Sequence, residues 1–232
     1  MKQKFKVISF FLLFLCACTS EPKQEVRQTP KKPQVKIEVP KFNADSAYYY
    51  VQQQVDFGPR VISSKSWKNC AIWLEKKFLQ YTTNVMVQEA PITTYDGKKH
   101  TLKNIIASFS ANKKNRIALF AHWDSRHIAD HDIENQDSPI LGANDGGSGV
   151  GVLIELARQF SKKEPKIGID IILFDAEDYG QPENSEYPFM QDSWCLGSQH
   201  WSKNPHQSNY AARYGILLDM VGAKNATFYL EG

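Results

Sequence analysis

The sequence predicts an α/β domain in three layers, with a central, mostly parallel or mixed sheet flanked by helices and the C-terminal part of that architecture absent. Three observations predict it. From residue 42 onward, apolar runs of strand length alternate with stretches of helical spacing. The run Ile117-Ala118-Leu119-Phe120 is continuously apolar, as a strand covered on both faces requires. A chain of 232 residues that is 42% hydrophobic and 12% aromatic has enough apolar material for a substantial core.

Each element has a local reason. Asn43 or Asp45 can cap a helix running to about Gln54. Phe57-Gly58-Pro59-Arg60 reads as a turn, because Gly and Pro both interrupt a helix. Ser64 to Tyr81 places Trp67, Ala71, Leu74 and Phe78 three or four residues apart, which makes one apolar helical face. Val85-Met86-Val87, Leu102 to Phe109 and Arg116 to Ala121 read as strands. Gly149 to Phe160 is an amphipathic helix, Ile167 to Phe174 a further buried strand, Gly197 to Ser202 the start of a helix, and Gly215 to Leu218 another strand.

The N-terminus reads as an address. Lys2, Lys4 and Lys6 precede Val7 to Ala17, an apolar run too short to span a bilayer comfortably, so residues 1–17 are expected to be a signal peptide. Leu15-Cys16-Ala17-Cys18 resembles a bacterial lipobox, with Cys18 at the lipid-acceptor position. That resemblance implies an anchor in a membrane of the bacterial cell envelope, periplasmic or outer-facing. Residues 18–41 carry Pro22, Pro30, Pro33 and Pro40 among Lys and Glu, the composition of an extended tether or solvated tail. Residues 42–232 form the folded domain. The formal charge of +3 comes from 28 basic and 25 acidic residues, and the three leader lysines account for the excess. A nearly neutral mature chain argues against nucleic acid as a partner. Four cysteines do not make a disulfide scaffold.

Ionisable groups gather at the strand ends. The strand through Ala121 ends in His122-Trp123-Asp124, the strand through Phe174 in Asp175-Ala176-Glu177-Asp178, and the strand through Leu218 in Asp219. Asn144-Asp145 sits in the Gly-rich turn Gly142 to Gly149, just before a helix. Ligand sites of open α/β sheets lie at the carboxyl ends of strands. Carboxylates converging there repel unless a cation or a shared proton compensates, and a His with several carboxylates suits zinc. Taken singly, each acid could be a helix cap, a turn former or a solvated charge.

In this order, the segments resemble the M28 zinc-peptidase family, and within it the glutaminyl cyclase branch. Ala121-His122-Trp123-Asp124-Ser125, the Gly142–Gly149 turn, Phe174-Asp175-Ala176-Glu177-Asp178, Gly197-Ser198 and Leu217-Leu218-Asp219-Met220-Val221-Gly222 carry the resemblance. It implies that Asp145 and Asp178 bind zinc and that Glu177 is the general acid/base. It implies that Asp219 is a hydrogen-bonding catalytic acid in a one-zinc cyclase, or a ligand of a second metal in a two-zinc aminopeptidase. His122 is then a second-metal ligand or a group just behind the metal, and Asp124 orients its ring. The family's last zinc ligand is a His beyond the Asp219 strand. The thirteen residues after Asp219 contain none, so the expectation is a C-terminally truncated product. His100, His127, His131, His200 and His206 are expected to be ordinary surface or loop residues, and Cys70 and Cys195 buried thiols.

The stretch Tyr179 to Cys195, rich in aromatic residues, and the acidic insertion with Asp130, Asp132, Glu134 and Asp137 fit the cyclase branch. The implied reaction converts an N-terminal glutamine of a peptide or protein into pyroglutamate and releases ammonia. A two-zinc aminopeptidase and an inactive truncated lipoprotein that keeps only the fold are the alternatives.

Overall fold

The computed structural model describes residues 39–228. The expected signal peptide, Cys18, the expected tether up to residue 38 and the chain from Tyr229 onward lie outside the described residues. Helix α1 spans Ala44–Val55 and is capped by the Asn43 side chain, which accepts the Ser46 N–H. Helix α2 spans Lys65–Leu79 under a Ser64 cap that accepts the Trp67 N–H. Strands β1 (Val85–Thr93), β2 (Lys99–Phe109) and β3 (Arg116–His122) follow, then helix α3 (Gly147–Lys162), strand β4 (Gly168–Phe174), helix α4 (Leu196–Lys203) and strand β5 (Gly215–Leu217).

The sheet has the order β1-β2-β4-β3-β5. It is mixed: β1 with β2 and β2 with β4 are antiparallel, whereas β3 runs parallel to both β4 and β5. Strand β1 is longer than Val85–Val87. It continues through Pro91, which the sequence pattern argues against, and it can do so because β1 is an edge strand that need not donate on its open side. Phe228 is exposed irregular chain.

Side-chain alternation sorts the core into two faces. Ile105, Ala107, Leu119, Ala121, Ile171 and Leu173 join the main core with residues of α2 and α3. Their neighbours Ile106, Phe120, Ile172 and Phe174 point the other way and pack against Trp201 of α4. Helices on both faces explain why β4 is buried at every position. One polar residue on it, Asp170, is satisfied by Arg116 (2.6 and 2.7 Å), Ser108 (2.6 Å) and Tyr210 (3.0 Å). Helix α3 runs tightly against the sheet: a Cβ on Gly149 would lie 2.2 Å from the Leu218 carbonyl oxygen. That close approach brings the N-terminus of α3 to the carboxyl ends of the parallel strands.

Candidate active site

The carboxyl ends of β3, β4 and β5 meet at the start of α3, and the predicted site residues lie there. His122 is the last residue of β3, with its side chain only 3% exposed. Its Nε2 lies 2.8 Å from Asp145 Oδ1 and 3.5 Å from Asp219 Oδ1. Its Nδ1 lies 3.5 Å from Asp124 Oδ1 and 3.8 Å from Glu177 Oε2. One imidazole is thus ringed by four carboxyl groups. Ligand-capable atoms of His122, Asp145 and Asp219 all fall within 4.8 Å of one another. Asp178 stands outside that trio. Its Oδ1 is 3.8 Å from Arg126 Nη1, and its Oδ2 is buried with no hydrogen-bond partner.

Local backbone geometry sets these positions. Asp145 directly precedes Gly146 at the N-terminus of α3, where the helix dipole favours an anion. Gly146 has φ +79°, and a Cβ there would meet the Asp124 carbonyl oxygen at 2.8 Å and the His122 ring at 3.0 Å, so the turn closes onto His122 only with glycine. The Asp219 loop is tied to the same turn: Val221 N–H donates to Ser148 Oγ (3.0 Å), and Gly222 N–H to Asn144 Oδ1 (2.8 Å). Asp124 does more than face the His122 ring. Its two oxygens accept the backbone N–H groups of Glu177 (3.1 Å) and Asp178 (3.0 Å), so the end of β3 holds the acidic pair at the end of β4. Asp175, fully buried, is anchored by the Trp67 indole (2.9 Å) and the Lys103 N–H (2.7 Å).

Several residues of the site are not visible as such in the sequence. Arg60, in the Phe57–Arg60 turn, is wholly buried. Its guanidinium donates to the carbonyls of Trp123 (2.8 Å), Leu141 (2.7 Å) and Gly142 (2.7 Å), which braces the loop that carries Asp145. Arg126 donates to the Asp178 carbonyl (3.1 Å), pairs with Asp130, and lies 4.4 Å from the Trp194 ring centroid. Cys195, expected to be a buried thiol, is only half-buried, and its Sγ contacts Glu177 Oε1 at 3.2 Å; Cys70 is buried as expected. The spacing of Arg60 and Cys195 gives no warning of this, because their partners lie far off in the sequence or follow from one turn. His127 is not an ordinary loop residue either: it bonds Tyr95 (2.8 Å), stacks on Tyr179 at 4.0 Å, and burial pushes its pKa down to about 4.

The electrostatics separate the acids. Burial, then Asp124 and Asp145, push Asp178 up to about 8. Burial likewise raises Glu177, and the nearby His122 partly offsets this. The hydrogen bond from His122 lowers Asp219. His122 is opposed by burial, yet Asp124, Asp145 and Asp219 hold its pKa well above the ordinary value. Excess negative charge and an orphaned buried carboxylate oxygen fit a bound divalent cation, and a nitrogen-and-oxygen donor set suits zinc. Beside the cluster, Glu177 offers a partly exposed carboxyl whose proton affinity burial raises. Tyr187, Phe189, Met190 and Trp194 line a separate cleft of about 530 Å³, to which none of the clustered acids contributes.

Comparison with known proteins agrees with this geometry. Residues 104–231 match the family described as peptidase family M28. The chain is similar to the crystal structure of a Zn-dependent exopeptidase from Parabacteroides distasonis, with 56% identity and a TM-score of 0.80, over 82% of this chain and 66% of that one. It is equally similar to a glutaminyl cyclase of Bacteroides thetaiotaomicron, bound there to N-acetylhistamine: 52% identity and a TM-score of 0.81, over 84% of this chain and 68% of that one. The uncharacterized protein YfbL of Escherichia coli is 32% identical over 152 residues, which are 66% of this chain and 41% of that protein. The chain thus spans about two thirds of those solved structures and less than half of the curated relative. With the family's residues matched across more than half of the sequence, and its strand-end acids and His122 gathered at one sheet edge, the chain belongs to peptidase family M28.

Proposed function

We propose that the chain carries the greater part of a zinc-dependent glutaminyl-peptide cyclotransferase, acting on peptides or proteins with N-terminal glutamine. The observation that carries the reading is Glu177. It sits beside the acidic cluster, with one oxygen toward His122 and the other held by Cys195, on the border of the aromatic segment Tyr179–Cys195. Similarity to the Bacteroides thetaiotaomicron glutaminyl cyclase supports the same choice.

In this reading, Asp145 and Asp178 hold zinc, which would act as a Lewis acid on the γ-carboxamide carbonyl of the substrate. Asp178 is suited to this because a bound cation would satisfy its buried Oδ2. Glu177 takes a proton from the attacking α-amine and delivers it to the departing ammonia. Asp219, partly exposed and hydrogen-bonded through His122, steadies the tetrahedral centre. Trp194 and its aromatic neighbours shield the glutamine side chain from water. No enzymic nucleophile is needed, since the substrate's own amine attacks.

A second reading, a two-zinc aminopeptidase, is favoured by one observation: His122, Asp145 and Asp219 converge tightly enough to share an ion without Asp178. One assay divides them. Gln-initiated peptides should yield ammonia and a blocked N-terminus; free amino acids without ammonia would establish the peptidase. The envelope location is part of the proposal: acylation of Cys18 would hold the domain at a membrane surface on the 18–41 tether.

A further inference from the structure

We propose that Cys195 is a positioning residue for Glu177: its thiol holds Oε1, so that Oε2 is the oxygen left free to exchange the proton. This rests on the reading of Glu177 as the acid/base. The thiol-to-carboxyl distance is 3.2 Å, within reach of an S–H donor. Oε2 points the other way, 3.8 Å from His122 Nδ1. Among the described residues, no other hydrogen bond is made to the Glu177 carboxyl.

The backbone is arranged to present that thiol. Cys195 N–H donates to the Glu177 carbonyl (3.0 Å), Leu196 N–H to that of Ala176 (2.9 Å) and Gly197 N–H to that of Asp175 (3.0 Å). These three bonds fasten the start of α4 along the segment that leaves β4. The fastening requires Cys195 to adopt φ +57° and ψ 33°, a left-handed conformation that glycine would take without strain. If only the backbone mattered, glycine would serve better. A side chain at a left-handed position, with its polar atom on the acid/base, is what a positioning role for the thiol accounts for. Burial and the neighbouring Glu177 push the thiol up to about 12, so it remains a donor at working pH. A thiol is also a weak donor, which restrains one oxygen without locking the carboxyl in a single protonation state.

The test uses the full chain with Cys195→Ala, Cys195→Ser and Cys195→Gly. Ammonia release from a Gln-initiated peptide should show kcat about 3- to 10-fold lower in the Ala and Gly variants, the effect of one modest hydrogen bond, with KM within about twofold of wild type. Serine should restore most of kcat. The Gly variant guards against misfolding, because it relieves the backbone while removing the same donor. A second readout needs no turnover: the infrared S–H stretch of Cys195 should move toward that of a free thiol in Glu177→Ala. The remaining cysteines are common to both proteins and cancel in the difference spectrum. Wild-type kcat in Cys195→Ala would overturn the proposal, as would equal losses in the Ser and Ala variants or an unmoved S–H band. If wild type releases no ammonia, the band alone decides whether Cys195 holds Glu177, and the cyclase reading fails only if a form carrying the family's remaining zinc ligand is silent as well.

Discussion

Replacing Arg60 by Met tests whether the site is held together from the N-terminal side of the domain. Met fills much of the volume of the aliphatic stem and removes the guanidinium. Three carbonyls, the buried ones of Trp123 and Gly142 and the partly buried one of Leu141, each lose a donor at 2.7–2.8 Å. Hydrogen bonds to a charged group are worth about 1.5–3 kcal/mol each, so the gross loss is roughly 5–9 kcal/mol. Part of it returns, because the wild-type protein also bears the cost of burying the charge, which lowers the Arg60 pKa. Breaking a buried charged network by removing one partner costs about 3–5 kcal/mol net, and we expect a loss in that range. For a domain of this size, each kcal/mol moves Tm by about 2–4 °C, so the variant should melt roughly 10 °C lower. Melts should be run with chelator present, so that metal binding does not shift both curves. Asp124, Asp145 and Asp178 also lose a nearby positive charge, so zinc retention should change along with stability. A melt within about 2 °C of wild type, with zinc content unchanged, would refute the reasoning, since a loss that small cannot come from three stranded carbonyls.

Other outcomes follow from the same geometry. In the full-length form, Glu177→Gln should keep fold and metal and lower the rate by about 10²–10⁴-fold, because it removes proton transfer and no direct metal contact; ammonia release and metal analysis check it. Asp178→Ala should lose metal and activity together, whereas Asp219→Asn should keep metal in a one-zinc enzyme and halve it in a two-zinc enzyme, as atomic absorption would show. Burial alone would raise the Asp170 carboxyl, but His206, Arg116 and Ser108 hold it well below the usual range. Its stabilisation is therefore complete above the unfolded value of about 4 and lost as pH falls below it, so the stability gap between wild type and Asp170→Asn should be flat from about pH 7 to 5 and narrow in acid. A gap that widens in acid would show the sign to be wrong. Mass spectrometry of the mature N-terminus should find a diacylated or triacylated Cys18; an unmodified Cys18 or a free Thr19 would remove the anchor.

The elements were legible because their signals are local. Ser64 caps α2 and Asn43 caps α1 where short polar side chains precede apolar helical spacing. The ends of β3, β4 and β5 were legible because an apolar run that breaks into His and acids is itself a sequence feature. The length of β1 was not, since Pro91 is a breaker everywhere except on an edge, and edges are decided by tertiary pairing. Nor was the part played by Asp124. The family resemblance implies that it orients the His122 ring, but its oxygens also accept the Glu177 and Asp178 N–H groups, reached only when β3 and β4 lie side by side. Arg60 was read as turn punctuation for a similar reason: what a buried guanidinium braces depends on carbonyls 63 to 82 residues away.

The brace at Arg60 bears on where this domain can be divided. The family match begins at residue 104 and contains every acid of the cluster. Arg60 and Trp67 lie before that boundary, as do α1, which packs on α3, and β1, which pairs with β2 along nine residue positions. A polypeptide cut at the family's limits would keep the reactive groups and lose the scaffold that presses them together. Its freed β2 edge would expose unpaired backbone groups to other chains. Expression boundaries, protease-resistant fragments and split-protein designs for this chain should therefore be drawn upstream of Asn43, so that the reactive acids and the frame that holds them are produced as one piece.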